Sequence, residues 1–81
     1  MRKKFIGRYL VVDPKVCHGK LTFAGTRVPV ETVLNWLAKG KTMKAILASW
    51  PEIPKEAVEE ATQLAAAALV ARHEVGAASM R

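Results

Sequence analysis

Cys17 and His18 stand side by side ahead of Gly19-Lys20, the first pairing in this 81-residue chain that could do covalent chemistry. Nucleophilic catalysis requires the base to reach the thiol and a third group to orient the base. Neighbours in an extended segment point to opposite sides, so this pair is not expected to meet within one chain. The other histidine, His73, falls on the last predicted helix. Packing or a turn hydrogen bond is the expected role of Cys17. Gly19-Lys20-Leu21-Thr22 faintly resembles a phosphate loop, but Leu21 stands where Ser or Thr is required and Pro14 where the first Gly is required. Asp13, Glu31 and Glu52 are scattered, and Glu56, Glu59 and Glu60 read as a solvated first helical turn. None of these makes an acid/base pair or a metal cage. Arg27, in Gly25-Thr26-Arg27-Val28-Pro29, suits a phosphate or a buried carboxylate equally well. Binding rather than catalysis is therefore expected, with no cofactor and no metal.

The elements that must carry these residues change character along the chain. Phe5–Val12 is rich in β-branched and aromatic residues and reads as a strand ending at the turn pair Asp13-Pro14. Residues around Cys17-His18-Gly19-Lys20 read as a loop, 21–23 as a second extended piece, and 26–28 as a third before Pro29. Strands this short need a helix layer or a second copy to cover one face. From Val30 the period becomes helical: Val30, Val33, Leu34 and Leu37 share a face, and Gly40 after Lys39 stops the helix. Thr42 caps a second helix bearing Met43, Ile46, Leu47 and Trp50, which Pro51 ends. Trp50 is expected in the core and Trp36, off its stripe, at an interface. These two helices form a helix-turn-helix-like pair. Pro54 opens a third helix expected to run to about His73, with Gly76 to Arg81 fraying. Its Ala61, Leu64, Ala68, Ala71 and Val75 form a stripe of mostly small residues, and Leu69 and Val70 lie off it. The first two helices can cover only one side, which leaves a surface for a partner.

Size and charge narrow the class. A core in a chain of 81 residues seldom supplies more than a few kcal/mol, so small domains lean on disulfides, metal or oligomerisation. With one cysteine there is no internal disulfide, and no Cys/His cluster offers zinc ligands. A homodimer is the remaining expectation. The free thiol, the short and interrupted N-terminal apolar run and the lack of a run of ~20 apolar residues suggest a cytoplasmic protein without membrane contact. Residues 1–28 carry seven Lys/Arg against Asp13 alone, a net of +6, whereas residues 56–81 carry two against four Glu, a net of −2. A basic front half suits a polyanion.

The ordered string Gly19-Lys20, Gly25-Thr26-Arg27-Val28-Pro29-Val30 and Ala38-Lys39-Gly40, followed by WPEIPKEAVEEA, resembles the bacterial family of domain of unknown function number 433, over roughly Tyr9 to Ala68. Leu21, often Pro in that family, and Ile53-Pro54, in place of a Ser/Thr cap, depart from its pattern. The resemblance implies a mostly α fold with a small N-terminal β-arm and a three-helix, homeodomain-like helix-turn-helix bundle. Residues 1–29 would be the β-arm or hairpin region, 30–75 the three-helix region and 76–81 a flexible tail, all one compact domain. It also implies a VapB-type antitoxin of a type II toxin–antitoxin pair, which neutralises a PIN-like ribonuclease toxin and binds operator DNA. A small DNA-binding regulator without a toxin partner is the alternative. Glu56, Glu59 and Glu60 at the start of the third helix disfavour groove reading by that helix. The DNA contacts are therefore expected from Arg2, Lys3, Lys4, Arg8, Lys20, Arg27, Lys41 and Lys44. The partner contacts are expected from Leu64, Ala68, Leu69 and Arg72. The resemblance implies an acidic, metal-dependent toxin site, which Arg72 or Arg81 would enter.

Overall fold

Alternation around one glycine shapes the front of the chain. A computed structural model describes residues 2–73, in which three short strands lead into three helices. Strands β1 (Lys4–Ile6), β2 (Leu10–Val12) and β3 (Leu21–Phe23) form an antiparallel sheet in the order β1-β2-β3. The single strand expected over Phe5–Val12 is thus corrected to two, because Gly7, at φ +66°, turns the chain back on itself. Ile6 pairs with Leu10 and Leu10 with Phe23, and this row faces the helices. The next row, Phe5, Val11 and Thr22, faces the other way, as the period of two demands.

The link between β2 and β3 is a turn, as the sequence around Cys17-His18-Gly19-Lys20 reads. Cys17-His18-Gly19 forms a single tight turn with φ of 50°, 57° and 83°. Two consecutive non-glycine residues in the left-handed region are costly and persist only where their surroundings hold them. The turn is held by Asp13, which accepts the Val16 N–H on its carbonyl (2.9 Å) and the Lys15 N–H on its carboxylate (2.9 Å). It is tied from outside by the Cys17 thiol, which donates to the Arg27 carbonyl at 3.2 Å. Cys17 therefore has the turn hydrogen bond expected from its sequence setting. The third extended piece, 26–28, is no strand. Thr22 bridges to Pro29, and the Phe23 N–H donates to the Val28 carbonyl at 3.1 Å.

The helices follow their local signals. Helix α1 (Val30–Ala38) ends in a Schellman turn: Gly40, at φ +86°, donates to Leu37 at 3.0 Å and Lys41 to Trp36 at 3.0 Å. Helix α2 (Met43–Ser49) is capped by Thr42, whose hydroxyl accepts the Ala45 N–H at 3.1 Å. Helix α3 (Lys55–His73) follows Pro54. The core gathers Leu10 and Phe23 from the sheet, Val30 and Val33 from α1, Ile46 from α2, and Ala57, Val58 and Ala61 from α3. Trp36 and Trp50 are both half-buried and meet edge to face, ring centroids 4.7 Å apart. Trp50 is thus less buried than expected. Val75 and residues 76–81, with their expected fraying, lie outside the described residues.

Candidate functional site

Two surfaces and one latch emerge from this arrangement. The latch is Glu60. Instead of a solvated side chain in the first turn of α3, its carboxylate accepts the Arg8 N–H at 2.8 Å and the Tyr9 N–H at 2.7 Å. The hairpin tip is thereby fixed to α3. Gly7 is required twice over, by its positive φ and by space, since a Cβ there would lie 2.6 Å from the Glu60 carboxylate. The pairing spans more than fifty positions of sequence, so the Glu56/Glu59/Glu60 cluster hid it.

The first surface is the free half of α3. Ala57, Val58 and Ala61 are buried, but from Gln63 to His73 every side chain is exposed. Leu64, Leu69 and Val70 are exposed to 37%, 61% and 47%. At the root of this overhang lies an almost wholly apolar groove of about 240 Å³, between Leu10 and Leu21 of the sheet, Leu34 of α1 and Leu64 and Ala68 of α3. A helix this long (about 28 Å at 1.5 Å per residue) outruns the body it packs against. From Gln63 onward it buries no side chain within the described residues.

The second surface is the outer face of the sheet. A cleft of about 360 Å³ has Val11 and Thr22 as its floor, Phe5 and Lys3 along one side and Arg27 along the other. Thr22 is fully buried although it faces away from the core, and its hydroxyl donates to the Val11 carbonyl at 3.4 Å. The Arg27 loop is held rigid by Thr26, whose hydroxyl donates to the Phe23 carbonyl (2.8 Å) and accepts the Val28 N–H (3.0 Å). Arg27 makes no ion pair among the described residues, so the carboxylate alternative for its guanidinium is not realised within them.

The eight cations singled out by sequence do not form one patch. Lys3 and Arg27 share the cleft. Lys20 pairs with Glu31 at 3.1 Å, an exposed bridge of little energetic weight. Lys41 lies over the Trp36 ring at 5.7 Å and Arg8 over Tyr9 at 5.6 Å. Arg2, Lys4 and Lys44 are exposed. Leu64, Ala68, Leu69 and Arg72 all fall on the free half of α3. Among the described residues no group of His, Cys, Asp or Glu could hold a metal, and no helix is long and apolar enough to cross a membrane.

Residues 10–65 match the sequence profile of the family described as protein of unknown function DUF433. The chain belongs to the DUF433 family. The match begins at β2 and ends within α3, in close agreement with the span over which the sequence resembles that family. In this DUF433 chain β1, with Lys3 and Phe5 of the cleft, and the last turns of α3, with Leu69 and Arg72, lie outside the matched residues. No curated protein and no solved structure matches the chain.

Proposed function

We propose that the protein is an antitoxin-like binding module of VapB type, which holds a PIN-like ribonuclease through the free half of α3. The observation that carries this reading is the exposed second half of α3, where Leu64 and Ala68 line a preformed apolar groove and Leu69 and Val70 stand exposed on other sides of the helix. An isolated helix half with such side chains is the profile of helix-in-groove recognition, in which a partner supplies the missing wall. Arg72 is exposed in the last described turns, and in this reading it would approach an acidic, metal-binding partner site. Without the ribonuclease, the same face would support a homodimer.

The fold reading that accompanies it is a homeodomain-like helix-turn-helix, supported by the Schellman turn and Thr42 cap that join α1 to α2. In that arrangement α3 does not read DNA. Glu56 and Glu59 are exposed at its start, and Glu60 is committed to the hairpin. Nucleic-acid contact falls instead to the basic residues of the sheet and its hairpin. Lys3, Lys4 and Arg8, which make no ion pair among the described residues, favour it whether or not a ribonuclease partner exists.

Co-expression with the product of the neighbouring open reading frame, expected to be a PIN-like ribonuclease, followed by size-exclusion chromatography with light scattering, tests the reading. The expected result is a stable hetero-complex with the ribonuclease silenced, which Leu64→Asp with Leu69→Asp disrupts. Separate elution with the ribonuclease still active would overturn it.

A further inference from the structure

The cleft on the outer face of the sheet has no part in holding a partner on α3, yet it is a built concavity. Its size falls at the lower end of the range for small-ligand sites. Its floor is buried and satisfied, and both of its loops are pinned, by Thr26 on one side and by Asp13 on the other. On one wall Phe5 leaves 54% of its surface exposed on an edge strand, with the Lys3 ammonium 5.7 Å from the ring centroid. Across from it stands the Arg27 guanidinium, free of any ion pair among the described residues.

We propose that this cleft receives one unpaired base of a single-stranded nucleic acid, stacked on Phe5, with the adjoining phosphates held by Lys3 and Arg27. Three features choose this ligand over others. An aromatic face flanked by cations is the arrangement that binds single strands without needing their sequence, since every base has a π-face. Duplex DNA hides those faces in its stack, and reading its groove requires a protruding ribbon or helix rather than a concavity. Asp13 also lines the cleft, and its Oδ1 already accepts the Lys15 N–H. A carboxylate there repels a bare phosphate but accepts from the exocyclic amine of a base. Arg2 lies just ahead of the flanking strand, beside Lys3, where the next phosphate of a strand would pass. This inference rests on the nucleic-acid half of the reading above and changes its ligand from duplex to unpaired strand.

Fluorescence anisotropy at low salt with short labelled DNA and RNA single strands, the matching duplex, and AMP as competitor provides the test. Wild type is expected to prefer the single strands. Phe5→Ala should weaken them about tenfold, the scale of one base–aromatic stack. Its melting temperature should hardly move, because the ring is exposed. Arg27→Ala should weaken binding and lower the salt slope by about 0.7, and Lys39→Ala, outside the cleft, should change nothing. Equal affinity of Phe5→Ala and wild type, or preference for the duplex, overturns the proposal. So does competition by AMP at the same concentration per nucleotide as the strand, which would assign the cleft to free nucleotides. Phe5→Ala should still bind the ribonuclease through α3, so failure of the cleft and failure of the partner reading give different results.

Discussion

Gly7 and Glu60 make one device out of two residues that look unremarkable in the sequence. The glycine reads there only as a break in an apolar run, and the glutamate as one of three carboxylates favouring a helix start. Their pairing was not legible because it depends on how the hairpin docks on α3, through a bond from Arg8 to Glu60 that spans 52 positions. Gly7→Ala forces a Cβ into the left-handed region, at roughly 1–2 kcal/mol. It also pushes the carboxylate off the Arg8 and Tyr9 amides, each worth about 1 kcal/mol. A destabilisation of about 3–4 kcal/mol in urea denaturation is expected, against about 2 kcal/mol for Glu60→Ala. In the Glu60→Ala background the glycine substitution should retain only its backbone cost. Strict additivity in that double-mutant cycle would show that Gly7 is not there to admit the carboxylate.

At the scale of elements, the helices were legible and the sheet was only half so. Gly40, Thr42 and Pro51 act within a turn or two of chain, so their effect on α1 and α2 needs no tertiary knowledge. The strands depend on a register that only the Ile6, Leu10 and Phe23 row reveals, and the Cys17–Gly19 turn on holds made from Asp13 and Arg27. Helix α3 divides along the same line. Its first half is fixed by packing through Ala57, Val58 and Ala61. Its second half stands mostly on the helix propensity of an alanine-rich run, with Leu64 and Ala68 beside the groove. Amide hydrogen exchange should therefore be slow over residues 55–62 and fast over 63–73 in the free chain, because the second half buries no side chain. Binding of the ribonuclease should bring the second half to the protection of the first. Uniform slow exchange in the free chain would mean that the overhang is already covered by a second copy.

For the whole molecule, the decisive property is that its charged and apolar surfaces are carried by different parts of the chain. The excess of cations sits in residues 1–28, ahead of α1, and the most exposed apolar side chains of the helices sit on the far half of α3. Charge asymmetry was visible in the sequence, whereas the cleft was not, because Phe5 and Arg27 meet only once the sheet has folded. Separate surfaces imply separable activities. Replacing Lys3, Lys4 and Arg8 together with Ala removes three cations that have no ion pair among the described residues, so the fold should lose little stability. Each phosphate left without its cation flattens the dependence of log affinity on log salt by about 0.7 for a single strand. If all three side chains meet phosphate, the slope should fall by about two, with the ribonuclease complex intact. Leu64→Asp with Leu69→Asp should do the reverse, abolishing the complex while the salt slope stays at its wild-type value. A triple variant that loses the ribonuclease as well as nucleic acid would mean that one continuous surface serves both, and the division between sheet and α3 would have to be abandoned.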